Sequence, residues 1–258
     1  MATQNTDNES EHFKKVAESY ESLFGLNSPA AIRKVERLCN IFFHWLDKGP
    51  DGPILELGAG TGFYTRHLAP RFVNREYIAS DLTPAMLEIA AKTYANDKAV
   101  TWRQEDCTKL SCRNSCVSSV TGHGILHHVP LEATIMEMAR ILKPDGRIAF
   151  YEPNLLNPYV FLFLKVPFMR PKSYSDGETA LVGSCTRELL RKNGFVDIQV
   201  IPCEFTMNQT PEKLAPLMEK VSRCLESIPL IRDFGGSLKI MARLGERSSD
   251  QPLRCHSN

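Results

Sequence analysis

Residues 54–68 read ILELGAGTGFYTRHL, with three glycines in five positions directly behind an apolar run. Glycine loses more conformational freedom on folding than any other residue. Three together mark a backbone that turns sharply or must be approached closely. A short buried strand running into glycines that open a helix is the starting unit of an open α/β sheet. The helix is expected over 62–69.

The rest of the chain keeps the alternation. EYIAS (76–80), VTWRQ (100–104), CVSSVTG (116–122) and GRIAFYE (146–152) read as strands. Between them lie helical patterns. One opens at Thr83-Pro84, which suit an N-cap and a first helical position, with an apolar face through Met86, Leu87, Ile89 and Ala90. Another runs from Leu131 to Leu142 and ends at the KPDG turn. Strands alternating with helices predict a parallel, doubly wound sheet covered on both faces.

The flanks are less regular. Residues 1–10 are polar, and a helical pattern then runs from Glu11 to Leu46: Phe13, Val16, Tyr20 and Phe24, then Ile32, Val35, Leu38 and Cys39, then Phe42, Phe43 and Leu46. Residues 154–182 read as an irregular insertion. Thr186 is expected to cap a helix ending at Asn193-Gly194, with the strand DIQVIPCEF (197–205) behind it. A helical stretch at 211–227 and the strand GSLKIMARL (236–244) close the domain, and 245–258 read as a loose tail.

Charge and cysteine usage narrow the function. A net charge of +1 supplies no global field for nucleic acid. Eight cysteines without a CxxC pair, behind the polar start MATQNTDNES, predict reduced thiols in a cytoplasmic protein. LLNPYVFLFLKVPF (155–168) is too short to span a bilayer and is broken by Asn157, Pro158, Lys165 and Pro167. It reads as a buried or ligand-facing segment, so no integral membrane span is expected.

The glycine loop departs from the dinucleotide fingerprint GxGxxG. Gly58, Gly60 and Gly62 make GxGxG, and Phe63 stands where the third glycine should be. Glu56 just ahead of the loop would repel a pyrophosphate but suits a cationic ammonium. Together these disfavour a nicotinamide-dependent oxidoreductase; a turn that merely joins strand to helix is the bland reading. Asp81 ends the second strand, 21 residues after Gly60, where an acid accepts ribose hydroxyls. Asp106, behind the third strand, is placed to accept from an exocyclic amine while the Cys107 amide meets an adenine edge.

With these blocks in order, the chain resembles the class I S-adenosylmethionine-dependent methyltransferases. The resemblance runs from ILELGAGTG through YIASDLTPAML, WRQEDC, VTGHGILHHV and ARILKPDGRIAFYEPN to LLRKNGF, about residues 50–205. Its flavour is the small-molecule group that includes quinone-biosynthesis methyltransferases. The resemblance implies a Rossmann-like, mostly parallel seven-stranded sheet with an antiparallel C-terminal hairpin strand. It implies S-adenosyl-L-methionine as cofactor and S-adenosyl-L-homocysteine as product. Glu56, Gly58 and Gly60 would surround the methionine portion, Asp81 and Leu82 the ribose and base, and Asp106 and Cys107 the adenine. Gly122 would belong to the same cofactor set, and Tyr20 would be the aromatic of an N-terminal lid. The implied division is 1–50 for tail and lid helices and 51–244 for the methyltransferase domain. Insertions at 154–182 and 206–234 would cover the acceptor side. The family usually carries Phe-Asp where this chain has Val117-Ser118, which leaves local contacts at the start of the fourth strand to be replaced.

Methyl transfer from a sulfonium is an in-line displacement that depends on alignment, and a base is needed only if the acceptor must lose a proton. His123, His127 and His128 cluster past the fourth strand, and two readings stand for them: a general base, or a packing and capping element. His123 and His127 have zinc-helix spacing, but Gly124 replaces the glutamate that a zinc protease needs, and no metal site is expected. Tyr151 and Glu152 are further candidates to touch the acceptor. If PYVFLFLKVPF lines a pocket, the acceptor is a largely apolar or aromatic small molecule. A cofactor-binding protein without turnover is the alternative function. The absence of a basic stripe and of an Asn-Pro-Pro-Tyr tetrad disfavours nucleic acid as partner.

Overall fold

A computed structural model describes residues 17–94, 100–166, 179–208 and 210–246. The helices are α1 (Tyr20–Leu23), α2 (Pro29–Leu46), α3 (Thr65–Leu68), α4 (Pro84–Thr93), α5 (Leu131–Ile141), α6 (Pro158–Lys165), α7 (Gly183–Lys192), α8 (Ala215–Glu226) and α9 (Pro229–Arg232). The strands are β1 (Ile54–Leu57), β2 (Tyr77–Asp81), β3 (Val100–Gln104), β4 (Val117–His123), β5 (Leu142–Pro153), β6 (Phe195–Cys203) and β7 (Ser237–Leu244). They form one sheet in the order β3-β2-β1-β4-β5-β7-β6. β7 runs antiparallel to both neighbours and the other pairs are parallel, as expected.

Each face is buried under its own cluster. On one, Val35, Leu38, Phe42 and Leu46 of α2 pack with Leu68 and Ile54. On the other, Ile135, Met138 and Ile141 of α5 and Leu190 of α7 pack on Val120, Ile148 and Ile240. A fully buried Phe42 or Leu46 contributes roughly 1.5–3 kcal/mol each through apolar area removed from water. β1 is buried at all four positions, the pattern of a central parallel strand covered on both sides.

Several boundaries differ from the sequence expectation, each for a local reason. The first helical pattern breaks at Phe24–Ser28, where Gly25 takes φ +62°, and Ser28 then caps α2 by accepting from the Ala31 amide at 3.1 Å. Phe13 and Val16 lie outside the described residues, as do residues 167–178 of the insertion and the tail from 247. The helix after the glycine loop starts at Thr65 rather than 62 and gives way to a 3-10 turn at Pro70. Thr186 does not cap α7. That helix begins at Gly183, and the Thr186 hydroxyl donates back to the Val182 carbonyl. KPDG does not end the strand pairing: β5 starts at Leu142, and a bulge between Leu142 and Arg147 absorbs the turn, with Asp145 at φ +63°.

At the start of β4, Ser118 stands where the family pattern has aspartate and makes local contacts of its own. Its hydroxyl donates to the Gly52 and Pro53 carbonyls, and it accepts from Arg75 at 3.4 Å. The crossover between β6 and β7 is tied down by Asn154, whose Nδ2 donates to the carbonyls of Asp233 and Gly235. Gly235 sits against the Cys203 backbone so closely that a Cβ would lie 2.6–2.8 Å from three of its main-chain atoms. Gly235→Ala is therefore expected to destabilise the fold by about 1–3 kcal/mol. Urea titration checks this as a lowered midpoint with unchanged slope.

Candidate functional site

Parallel strands end together, and β1 and β4 lie side by side while their following segments leave to opposite faces, which opens a crevice at the carboxyl edge. A cavity of about 840 Å³, mouth included, occupies it. Its wall takes Gly58 and Gly60 from behind β1, Asp81 and Leu82 from β2, Asp106 and Cys107 from behind β3, and His123 from β4. Tyr20 of α1 closes one side. A second cavity, of about 1020 Å³, adjoins it and shares Tyr20, Gly58, Gly60, His123, Gly124 and His128. Phe24, Phe63, Tyr64, His127, Val160 and Leu164 add to the second wall.

The glycines of the loop answer to different constraints. Gly58 has φ +65°, and a Cβ there would strike the Ile125 side chain at 2.7 Å. Gly60 has φ +56° with nothing within 4 Å of its missing Cβ, so the backbone itself faces open cavity. Asp81 holds this conformation. Its Oδ2 accepts the Gly60 amide at 2.9 Å and its Oδ1 accepts the Thr83 amide at 2.8 Å. Burial pushes the Asp81 carboxyl above its ordinary value, opposed by those two amides. Asp106 makes a tighter local turn, its Oδ1 accepting both the amide and the hydroxyl of Thr108.

Glu56 is not in either wall. It is buried behind the loop, accepting from the Tyr77 hydroxyl at 2.7 Å, while Oε1 has no hydrogen-bond partner. Burial raises its pKa to about 7, against the lowering effect of Tyr77. Gly122 is also behind the wall. Its Cβ position lies 2.8 Å from the Leu57 carbonyl, Ile125 and Phe150, so close packing of β4 requires glycine there.

The three histidines differ in surroundings. His123 is stacked between Tyr64 (centroids 5.6 Å) and Tyr151 (5.1 Å), and burial there drives its pKa down to about 4. It is a neutral ring in an aromatic stack, and a weak base. Tyr151 lies beneath it and reaches neither cavity. His127 is bonded through Nδ1 to Glu152 Oε2 at 2.7 Å. Glu152 is fully buried and also accepts the Ile125 and Leu126 amides at 3.0 and 2.9 Å. Burial alone would raise the Glu152 pKa, but His127 and the two amides outweigh it and hold the carboxyl below its ordinary value. Glu152 lines neither cavity; its contacts are with His127 and the 125–127 turn.

A family model described as a methyltransferase domain matches residues 54–146, the span that carries the glycine loop, all three strand-end acids and the histidine turn. Over these residues the chain carries a methyltransferase domain, similar to that of S-adenosylmethionine-dependent methyltransferases. A methyltransferase-like protein of Schizosaccharomyces pombe is 29% identical over 66% of this chain and 64% of its own length. A demethylmenaquinone methyltransferase of Clavibacter sepedonicus is 33% identical over 38% of this chain and 40% of its own. The chain spans between 30% and 64% of the length of three such curated relatives. Among solved structures, a phosphoethanolamine N-methyltransferase of Haemonchus contortus superposes with a TM-score of 0.62 at 16% identity, covering 91% of this chain and 58% of that one. That neighbour carries the same fold.

Within this methyltransferase domain, Tyr20, Gly58, Gly60, Asp81, Leu82, Asp106, Cys107 and His123 come together at one cavity, and His127 at its neighbour. Glu56, Gly122 and Tyr151 support the wall from behind. Sequence reasoning missed Ile125, whose side chain fills the space that Gly58 leaves, and the latch by which Glu21 of α1 accepts from Thr61 and Arg66. No group of three metal-ligating side chains occurs among the described residues.

The buried Glu56 has a measurable signature. Its folded pKa of about 7 exceeds its ordinary 4.5, so between those values the unfolded chain binds fewer protons and stability falls as pH rises. His123, lowered from 6.5 to about 4, acts in the opposite sense, and its contribution rises with pH across 4–6.5. The two oppose each other over most of that range. Glu56→Gln removes the falling component, and the variant is expected to gain about 2 kcal/mol between pH 4.5 and 6.5 relative to the parent's change. Urea denaturation of both proteins at the two pH values checks it.

Proposed function

We propose that the chain transfers the methyl group of S-adenosyl-L-methionine to an uncharged, largely apolar or aromatic small molecule, with His127 as proton acceptor. The observation that carries this reading is the meeting of two cavities at Gly58, Gly60 and His123, one walled by strand-end acids and the other by aromatic and aliphatic side chains. Two substrates that exchange a group need such a shared wall.

The residues of the first cavity suit the cofactor. Asp81 and Asp106 supply carboxylates where hydroxyls and an exocyclic amine would be held, and the side-chain-free face of Gly60 admits close approach. The cofactor, when bound, supplies an electrophilic methyl on a sulfonium. The chain's own part is to align and to exclude water. Phe24, Phe63, Tyr64, Val160 and Leu164 make the second wall apolar, and among the described residues that line it there is no lysine, arginine or carboxylate. That wall disfavours a charged acceptor. Val160, Leu164 and Thr179 of one insertion and Asn208 of the other contribute to it, which supports the view that the two insertions cover the acceptor side.

His127 takes the acceptor's proton in this reading. Glu152 accepts from Nδ1, fixes the tautomer and the ring plane, and leaves Nε2 as the basic nitrogen. The aromatic stack and lowered pKa of His123 favour His127 over it for that role.

Two experiments test the reading. In calorimetry with S-adenosylhomocysteine, Asp81→Ala should raise Kd at least tenfold, since both the ribose acceptor and the Gly60 clamp are lost. Binding of NADH with no response to S-adenosylhomocysteine would reject the cofactor assignment. For the base, the acceptor is first identified by mass spectrometry of co-purifying small molecules. His127→Ala should then lower turnover roughly 10²–10⁴-fold with cofactor affinity unchanged. Glu152→Gln should lower turnover and displace the acid limb of the pH–rate profile. Near-normal turnover in His127→Ala would leave alignment alone as the mechanism.

A further inference from the structure

α6, which lines the second cavity, and the helices α8 and α9 carry large apolar side chains on the outside. In α6, Val160 and Leu164 line the cavity while Tyr159, Phe161 and Leu162 are exposed. This corrects the reading of 155–168 as a simply buried or ligand-facing segment: α6 is a wall with two apolar sides. α8 exposes Leu217 (60%) and Val221, and α9 exposes Leu230 (81%). The three helices are neighbours. Asn157, the N-cap of α6, donates to the Phe234 carbonyl at 2.6 Å, and α9 packs on α8. Single exposed apolar residues are ordinary, but a ridge of them on three neighbouring helices marks a surface that meets something.

The charges on this ridge are sorted. Glu219 of α8 turns inward to pair with Arg33 and Arg37 of α2, and Glu226 accepts from the Glu204 amide and the Ser222 hydroxyl. Lys213, Lys220 and Arg223 are left outward, with Lys165 at the end of α6. Glu212 and Asp233 are the exposed acids at the two ends of the 212–233 stretch. In a chain of net charge +1, this local bias comes from placement rather than composition.

We propose that this ridge docks on an anionic phospholipid bilayer, with the apolar side chains at the acyl boundary and the lysines and arginine among the headgroups. A second copy of the same face would set one cationic group of side chains against another, which disfavours self-association through it. No helix among the described residues is long and apolar enough to cross a membrane, so the contact is peripheral. Where the methyl-transfer reading also holds, the second cavity opens beside the lipid surface, and an apolar acceptor enters from there.

The test uses the full chain without cofactor, co-sedimented with vesicles of phosphatidylcholine alone or containing phosphatidylglycerol. Binding is expected to the phosphatidylglycerol vesicles and to weaken with added salt. Leu217→Glu with Leu230→Glu should reduce it at least tenfold, and Lys220→Glu with Arg223→Glu should do so for the anionic vesicles in particular, at roughly fivefold per cation. Calorimetry with S-adenosylhomocysteine on each variant keeps the two readings apart, because its affinity should stay at the parent value. Vesicle binding that is absent at low salt, or indifferent to these variants, overturns the proposal. So does a concentration-dependent dimer, seen by analytical ultracentrifugation, that Leu230→Glu dissolves.

Discussion

The site depends on one carboxylate that accepts two backbone amides. Asp81 ends β2 and reaches Gly60 in the loop after β1 and Thr83 in the turn before α4. It thereby joins the ends of two parallel strands, at the edge where no further ladder bonds are available to hold them. The positive φ of Gly60 keeps its amide on Asp81 and its side-chain-free face toward the cavity. Replacing the acid would free both amides and release the loop, so binding and local structure cannot be separated at this residue.

A similar economy governs the turn after β4. Glu152 is fully buried, yet three donors converge on it, and a buried carboxylate so satisfied stays ionised. The same contacts that fold the 125–127 turn therefore aim an imidazole at the second cavity. His123, four residues away, has an aromatic environment instead and is held neutral. Two histidines of one short motif acquire different chemistry because one meets a carboxylate and the other meets two rings.

Outside the crevice, the crossover between β6 and β7 gathers the exposed apolar surface. Its Glu219 is used against α2, and Asn154 and Asn157 fasten it to the end of β5 and the start of α6. The crossover is a fixed part of the fold on its inner side, and its outer side is where apolar and cationic groups remain in the open.

The sequence by itself determined the alternating strands and helices, the glycine loop and the acids at the strand ends. These are local signals: a buried strand of four to seven residues, a turn that needs small residues, and a polar residue where a strand leaves the core. The antiparallel β7 and the meeting of Asp81 with Asp106 at one cavity followed from the family resemblance that those signals carried. Only the tertiary structure decided the roles of residues whose chemistry depends on what lies across the fold. Glu56, Gly122 and Tyr151 stand beside site residues in the chain but behind the wall in space, since neighbouring strand positions point to opposite faces. Glu152 became the orienter of His127 because the parallel pairing of β4 and β5 sets the end of β5 beside the turn that follows β4. No spacing in the sequence encodes that contact, because the two residues meet only once the sheet has formed.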